Sequence, residues 1–384
     1  MKIGILTFNW AINYGAILQM YALYHYLFSL DNNVVVINYV PDHFREIYET
    51  RIFKKPLKFK QIVKNSLELL IKKEQKRKFK EFINNNIVLS ELIGDRESLI
   101  KLVQKFDLII VGSDQVWNYD ITKGYLKDYL LSDIACNKIS YAASIGKKEI
   151  TRETERLFQD ALKDFDFVSV REESTIEILN KICKRDDYKL VVDPIFLLNR
   201  NEWESLAKMS TYKLPNRDYV LVYMLEYDAN LISSAKYLSR TYNMPVLSIE
   251  IPFFRFKTGM RGIKALHDVG PADFIKLFLS AEYILTNSFH GASFSLIFKK
   301  NFIPFVHPTL NERIHNVLSL YGLENIQIKD FHEFSESFKD IAERVKTTYT
   351  NQNKKIDSFV KASKEYLNEA IREVAKRGIK NHEK

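Results

Sequence analysis

The stretch Tyr283-Ile284-Leu285-Thr286-Asn287-Ser288-Phe289-His290-Gly291-Ala292-Ser293-Phe294-Ser295-Leu296-Ile297-Phe298 decides how this chain is read. Tyr283 to Leu285 reads as a buried strand, the next residues as a tight polar turn, and the remainder as a helix starting near Gly291. A strand that feeds a helix through a short turn gathers backbone N–H groups and the positive end of the helix dipole at one point. That point is a natural seat for an anion. His290 stands in it as the one side chain there able to hold or give a proton near neutral pH. The plainer alternative is that His290 caps a helix or packs against Phe294. The turn position, the adjacent glycine and the apolar strand behind it favour a site.

Working outward, the same strand-then-helix rhythm runs through the chain. Lys2–Thr7 reads as a strand, followed by a turn with Asn13-Tyr14-Gly15 and a helix from about Ala16 to Leu30. Val34–Asn38, Phe106–Val111, Lys138–Ala143, Phe167–Val170 and Lys189–Val192 read as further strands. After a polar stretch at Tyr212–Asp218 the rhythm restarts with Tyr219–Met224, a helix at Asn230–Arg240, a strand at Val246–Glu250 and a helix at Pro271–Leu279. Near-continuous apolar strands alternating with helices mark an α/β fold with parallel sheets covered on both faces. The expected organisation is an N-terminal doubly wound domain over 1–214 with a basic helical insertion at about 45–85, and a second such domain over 215–350. A C-terminal amphipathic helix at 351–384, with Ile356, Phe359, Val360, Leu367, Ile371 and Val374 on one stripe, is expected to pack back across the junction.

The composition agrees. A chain of 384 residues, 46% hydrophobic with 26 Phe and 21 Tyr, can bury two large cores, and 12 Gly and 9 Pro argue against a disordered or fibrous class. Cys136 and Cys183 lie far apart with no CxxC spacing, which fits a reducing cytoplasm and gives no metal or redox motif. No window holds the roughly 18 to 20 continuous apolar residues that span a bilayer, and the N-terminal run reads as a strand rather than a signal peptide. The net charge of +9 is concentrated. Residues 51–80 hold twelve Lys or Arg against Glu68 and Glu74, a surplus of ten, so the remainder is near neutral. Val63, Leu67, Leu70 and Ile71 make this segment an amphipathic helix with a basic face. It reads first as a solvated helix packed on the body. The functional reading is a seat for anionic lipid or a lipid-linked phosphate at the inner face of the cytoplasmic membrane. Nucleic acid is not expected, since no recognised binding motif accompanies the charge.

In open parallel sheets ligands bind beyond the carboxyl ends of the strands, where the strand order reverses. Several strand ends here carry suitable residues. The first leads to Asn13, Tyr14 and Gly15 with Gln19 one turn on; the third to Gly112-Ser113-Asp114-Gln115-Val116-Trp117-Asn118. Later ones end in Ala142-Ala143-Ser144, in Arg171-Glu172 and in Asp193-Pro194. Plainer readings stand beside these: Asn13 and Gly15 shape a turn, Asp114 caps a helix, Asp193 forms a turn before Pro194, and Trp117 belongs to the core. Arg171 directly follows an apolar strand, an awkward place for a structural charge, and its guanidinium suits a carboxylate or phosphate.

Taken in order, Asn13-Tyr14-Gly15-Ala16 with Gln19, Gly112-Ser113-Asp114-Gln115-Val116-Trp117-Asn118, Ser140-Tyr141-Ala142-Ala143-Ser144, Val170-Arg171-Glu172, Asp193-Pro194 and Thr286-Asn287-Ser288-Phe289-His290-Gly291 resemble the polysaccharide pyruvyl transferases. The resemblance spans about residues 3 to 325. It implies two Rossmann-like domains facing across a cleft, similar to the GT-B glycosyltransferases, with His290 and Arg171 on opposite walls. It further implies phosphoenolpyruvate as donor, a hexose of a cell-surface polysaccharide or of its lipid- or nucleotide-linked precursor as acceptor, a cyclic pyruvate ketal as product, and no cofactor or metal. Carried across by position, Arg171 would hold a donor anion and His290 would be the catalytic imidazole, with Ser288 and Gly291 beside the donor. Some members carry an Arg where this chain has Ser288; Arg313, Lys300, Arg255 or Arg261 would supply that charge. Asp114 is the base expected for the acceptor hydroxyl. Asn13, Tyr14, Gly15, Gln19, Ser113, Gln115 and Ser144 would line the acceptor side. Two other readings share the fold: a sugar-nucleotide-dependent GT-B glycosyltransferase, and a non-catalytic subunit of a polysaccharide assembly complex.

Overall fold

The computed structural model describes residues 1–49, 59–249, 260–306, 311–350 and 354–382. In chain order the elements are β1 (Lys2–Leu6), α1 (Tyr14–Phe28), β2 (Asn33–Val36), α2 (Asp42–Glu49), α3 (Phe59–Asn86), α4 (Arg96–Val103) and β3 (Leu108–Val111). There follow α5 (Tyr119–Thr122), α6 (Leu126–Tyr129), β4 (Lys138–Ser140), α7 (Arg152–Leu162), β5 (Ser169–Val170), α8 (Glu173–Ile182), β6 (Lys189–Leu190) and α9 (Arg200–Lys208). The chain continues through β7 (Val220–Tyr223), α10 (Ala229–Tyr242), β8 (Val246–Ile249), β9 (Ile263–Leu266), α11 (Pro271–Ser280), β10 (Tyr283–Thr286) and α12 (Phe289–Ile297). It ends with β11 (Asn301–Pro304), α13 (Asn311–Leu320), α14 (Phe331–Thr350) and α15 (Lys354–His382).

These elements form two compact units, one of 1–57, 83–198 and 358–384, the other of 58–82 and 199–357. In the first, four parallel strands run in the order β2-β1-β3-β4. Parallel bridges Ile139↔Phe167 and Ala143↔Val170 carry the sheet on to the parallel pair β5-β6. Leu108, Ile109, Ile110 and Val111 are all fully buried, as expected of a strand covered on both faces. Each such side chain contributes about 1.5–3 kcal/mol relative to leaving it in water. In the second unit five parallel strands run β11-β10-β7-β8-β9 around the buried run Val220–Tyr223. The order reverses beside β1 in the first sheet, between β1 and β3, and beside β7 in the second, between β7 and β10. Those are the two places where a doubly wound sheet leaves a crevice at its carboxyl edge.

The division differs from the sequence expectation in three places. The second unit begins at Asn199, ahead of the polar stretch at 212–218. Asn199 and Glu202 form a capping box that starts α9, and Trp203, fully buried, meets Phe294 edge-on at 5.1 Å. The basic insertion does not stay with the N-terminal unit either: 58–82 groups with the second. Lys78 pairs with Asp273 at 2.8 Å and lies over the Tyr212 ring, while Arg77 is committed to Glu74 and Glu81 on its own helix. Residues 51–58 lie outside the described residues, as do the side chains of Val63, Leu67, Leu70 and Ile71, on which the expected stripe falls. The C-terminal helix does not form a unit of its own. From Ser358 on, α15 belongs to the first unit, where Ser363 Oγ accepts the Val192 N–H at 3.0 Å and Tyr26 donates to Asn368 at 3.1 Å. Among the described residues no helix is long and apolar enough to cross a membrane.

Candidate functional site

In the second unit the crevice is built by the short polar run Thr286-Asn287-Ser288. Thr286 Oγ1 donates to the Tyr223 carbonyl at 2.6 Å and accepts the Ser288 N–H at 3.0 Å, so the end of β10 is tied to the end of β7. Asn287 spans the gap where these strands part: its Oδ1 accepts the Leu225 N–H at 2.9 Å and its Nδ2 donates to the Glu226 carbonyl at 2.9 Å. Ser288, in extended backbone, is the N-cap of α12 and accepts from the Gly291 N–H at 3.4 Å. The helix therefore starts at Phe289, two residues earlier than the sequence suggested, and His290 sits inside its first turn. His290 is 8% exposed and meets the Phe289 ring edge-on at 4.9 Å. Gly291 is there for space: a Cβ would stand 2.2 Å from Thr286 Oγ1 and 3.0 Å from Thr286 Cβ.

Of the four cations considered for the gap at Ser288, position along the strands separates one. Lys300 and Arg261 precede β11 and β9, so they lie at the amino edge of the parallel sheet, while His290 follows the carboxyl end of β10. Lys300 also donates to the Leu279 carbonyl at 3.1 Å, and burial lowers its pKa. Arg255 lies outside the described residues. Arg313 follows β11 and is carried, 8% exposed, on α13, which packs against α12.

In the first unit the crevice lies between the ends of β1 and β3. Asn13 is the N-cap of α1, accepting the Ala16 N–H at 3.1 Å, so α1 starts at Tyr14 and both Tyr14 and Gly15 are buried in its first turn. Gln19 is fully buried and donates to Thr7 Oγ1 at 3.2 Å and the Ala16 carbonyl at 2.9 Å; Thr7 in turn donates to the Ser113 carbonyl at 2.9 Å. Ser113, also sealed, donates to the Ala142 carbonyl. Gln115 accepts from Asn118 at 3.0 Å and closes over Gly146. Gln19 and Ser113 shape the edge of the crevice from within the protein, while Asn13 is exposed and Gln115 half-buried.

Asp114 and Arg171 are brought together. Asp114 has φ +72, a left-handed conformation that costs a non-glycine residue roughly 1–2 kcal/mol. Its carbonyl accepts the Ser144 N–H at 3.0 Å. Gly112 before it, at φ +113, leaves no room for a Cβ, which would lie 2.5 Å from the Tyr141 carbonyl. Arg171 reaches across from β5: Nη2 donates to Asp114 Oδ1 at 3.1 Å, Nη1 to Asp193 Oδ2 at 2.7 Å and Nε to Glu172 Oε1 at 3.0 Å. Ser144 Oγ completes the cluster by donating to Glu172 at 2.8 Å. Burial works against the Arg171 charge, but the three carboxylates raise its pKa above the ordinary value and keep it cationic. Arg171 thus holds three carboxylates of its own unit, and Asp114 caps no helix. Trp117 is core, fully buried. Sequence reading named Asp193 and Glu172 only as strand ends and gave Asn287 no role; the cue for Asn287 was an amide between two hydroxyl residues directly after a strand. Among the described residues no group of three or more His, Cys, Asp or Glu is placed to hold a metal ion.

A model of the family "Polysaccharide pyruvyl transferase" matches residues 13–308. No curated protein matches the sequence. Similar solved structures include a glycosyltransferase from Rickettsia africae (11% identity, 98% of each chain covered, TM-score 0.55). Others are a putative UDP-N-acetylglucosamine 2-epimerase from Listeria monocytogenes (12%, 98% of this chain and 97% of that one, 0.54) and the UDP-GlcNAc 2-epimerase of Neisseria meningitidis bound to UDP-GlcNAc (11%, 97% and 100%, 0.53). At such identities the likeness is one of fold, two Rossmann-like domains of the GT-B-like class.

Proposed function

This chain belongs to the polysaccharide pyruvyl transferase family, and from that premise we propose that it transfers the pyruvyl group of phosphoenolpyruvate to two hydroxyls of a hexose in a cell-surface polysaccharide or its lipid- or nucleotide-linked precursor. The observation that carries the reading is the place of His290, in the first turn of α12 at the point where the order of the second sheet reverses. A helix N-terminus favours an anion, and a histidine in that turn can deliver a proton to a bound enol phosphate.

The chemistry balances as follows. His290 gives a proton to the methylene carbon of phosphoenolpyruvate, which becomes a methyl group and leaves C2 cationic. One sugar hydroxyl adds to C2, and its proton restores the His290 imidazolium. The C2–O bond to phosphate then breaks, phosphate leaves with that electron pair, and the second hydroxyl closes the ketal as its proton passes to the departing phosphate. The donor's carboxylate and phosphate are assigned to the second unit: the α12 N-terminus with Ser288 and Gly291, and the Arg313 guanidinium.

Donor calorimetry tests the reading. Phosphoenolpyruvate is expected to bind, and phosphate release with candidate glycans is expected to fall about 100- to 10,000-fold in His290→Ala, the usual worth of general acid help. The solved structures of similar fold include a UDP-GlcNAc 2-epimerase bound to UDP-GlcNAc, so UDP-GlcNAc is the control ligand. Binding of UDP-GlcNAc with none of phosphoenolpyruvate would replace this reading with sugar-nucleotide transfer.

A further inference from the structure

A cavity of about 640 Å³ opens in the first unit, within the roughly 300–1,000 Å³ that small-molecule sites occupy. Lys163 and Phe165 precede β5 and the lining residues of 182–187 precede β6, so it sits at the amino edge of that parallel pair. Asp114, Arg171 and Asp193 follow their strands at the carboxyl edge and take no part in the lining. Two side chains bolt the last turn of α7 to the end of α8. Gln159 Nε2 donates to the Ile182 carbonyl at 2.7 Å, and Arg185 Nη1 donates to the Leu162 and Phe165 carbonyls at 2.6 and 2.8 Å. Arg185 Nε and Nη2 meanwhile hold the two oxygens of Asp187 at 2.7 and 2.8 Å. The walls are therefore fixed before a ligand arrives.

Charge decides what such a cavity takes. Lys163, Lys184 and Arg185 line it against one carboxylate, Asp187, a formal surplus of two positive charges. The C-termini of α7 and α8 lie here too, each bringing about half a negative charge. The surplus outweighs them, and the carbonyls of Leu162, Phe165 and Ile182 already accept from Arg185 and Gln159. A plainer reading makes the two lysines partners of those helix ends. Yet Lys163 and Lys184 are exposed, and neither forms a hydrogen bond or ion pair with a described residue. Between the charges the lining is apolar: Phe165, Ile182 and the half-buried Cys183, whose thiol is pushed up by burial and stays neutral. We propose that this cavity binds a phosphate monoester, its apolar body against Phe165, Ile182 and Cys183 and its dianionic phosphate held by the Lys163 and Lys184 ammonium groups. A doubly charged headgroup matches the surplus of two. The lining comes from the first unit alone, and nothing in the proposed reaction uses it.

Phenyl phosphate is the probe, titrated into the full chain labelled with carbon-13 at the isoleucine δ1-methyl groups. The Ile182 signal, assigned by its loss in Ile182→Val, reports the cavity. It is expected to shift and saturate with phenyl phosphate. Inorganic phosphate, which lacks the apolar body, and benzyl alcohol, which lacks the charge, are each expected to bind there about tenfold more weakly or worse. Lys163→Gln combined with Lys184→Gln removes both ammonium groups at exposed positions and is expected to leave the melting temperature unchanged. Phenyl phosphate binding is expected to weaken about tenfold or more in that variant, the lower end of what one charge-assisted hydrogen bond contributes. An Ile182 signal that phenyl phosphate does not move overturns the proposal, even where the compound binds elsewhere on the chain. Unchanged affinity in the double variant overturns it as well, as does inorganic phosphate or benzyl alcohol binding as tightly as phenyl phosphate. Turnover enters none of these readings, so a failure of the reaction assigned to His290 leaves the test intact.

Discussion

The two strand-order reversals are built on one plan and are finished with different side chains. In the first unit the carboxyl edge collects three carboxylates on one guanidinium. In the second the equivalent edge is made of neutral hydroxyl and amide groups, Thr286, Asn287 and Ser288, beneath the positive end of α12. A shared backbone architecture therefore says little about what each edge attracts; the residues placed just after each strand decide it.

The largest effect that could break this contrast is on His290. His290→Ala is expected to lower turnover about 100- to 10,000-fold while the melting temperature stays close to wild type. An unchanged rate would remove the second unit's chemistry. Next is Arg313, the one cation of the four that lies on the carboxyl side of the second sheet among the described residues. Arg313→Ala is expected to weaken phosphoenolpyruvate binding about tenfold or more by calorimetry, the lower end of what a charge-assisted hydrogen bond contributes. No change would leave the donor's charge to the helix alone. Gly291→Ala sharpens the packing side of the comparison. Its Cβ would press on Thr286, so a loss of about 1–3 kcal/mol in denaturant unfolding is expected. The smallest effect belongs to Arg377, whose exposed pair with Asp166 ties α15 to the first unit at 2.8 Å. Arg377→Ala is expected to cost less than about 1 kcal/mol, far below the roughly 3–5 kcal/mol for breaking a buried pair such as Arg171–Asp193.

How much of this was legible in the sequence follows from what is local and what is not. Continuous runs such as Leu108–Val111 and Val220–Tyr223 declare buried parallel strands, and the α/β class follows from their alternation with helices. The helix starts were missed by two residues at both Tyr14 and Phe289 for one reason: Asn13 and Ser288 are good N-caps, and each pulls the helix back towards its strand. The convergence on Arg171 was not legible, because it depends on β3, β4, β5 and β6 lying side by side, which no spacing of residues states. Read alone, Arg171 is an isolated cation after a strand; in the fold it is bonded to Asp114, Glu172 and Asp193. The membership of the basic helix was hidden likewise, since Lys78 finds Asp273 across 195 positions of sequence.

The measurement closest to the central claim follows phosphoenolpyruvate labelled with carbon-13 at C2, incubated with the protein and a candidate glycan, by carbon and phosphorus NMR. The account predicts one inorganic phosphate released for each labelled carbon that moves to a ketal shift, with both signals lost in His290→Ala. Phosphoenolpyruvate left intact with every glycan, while UDP-GlcNAc raises the melting temperature, would contradict it.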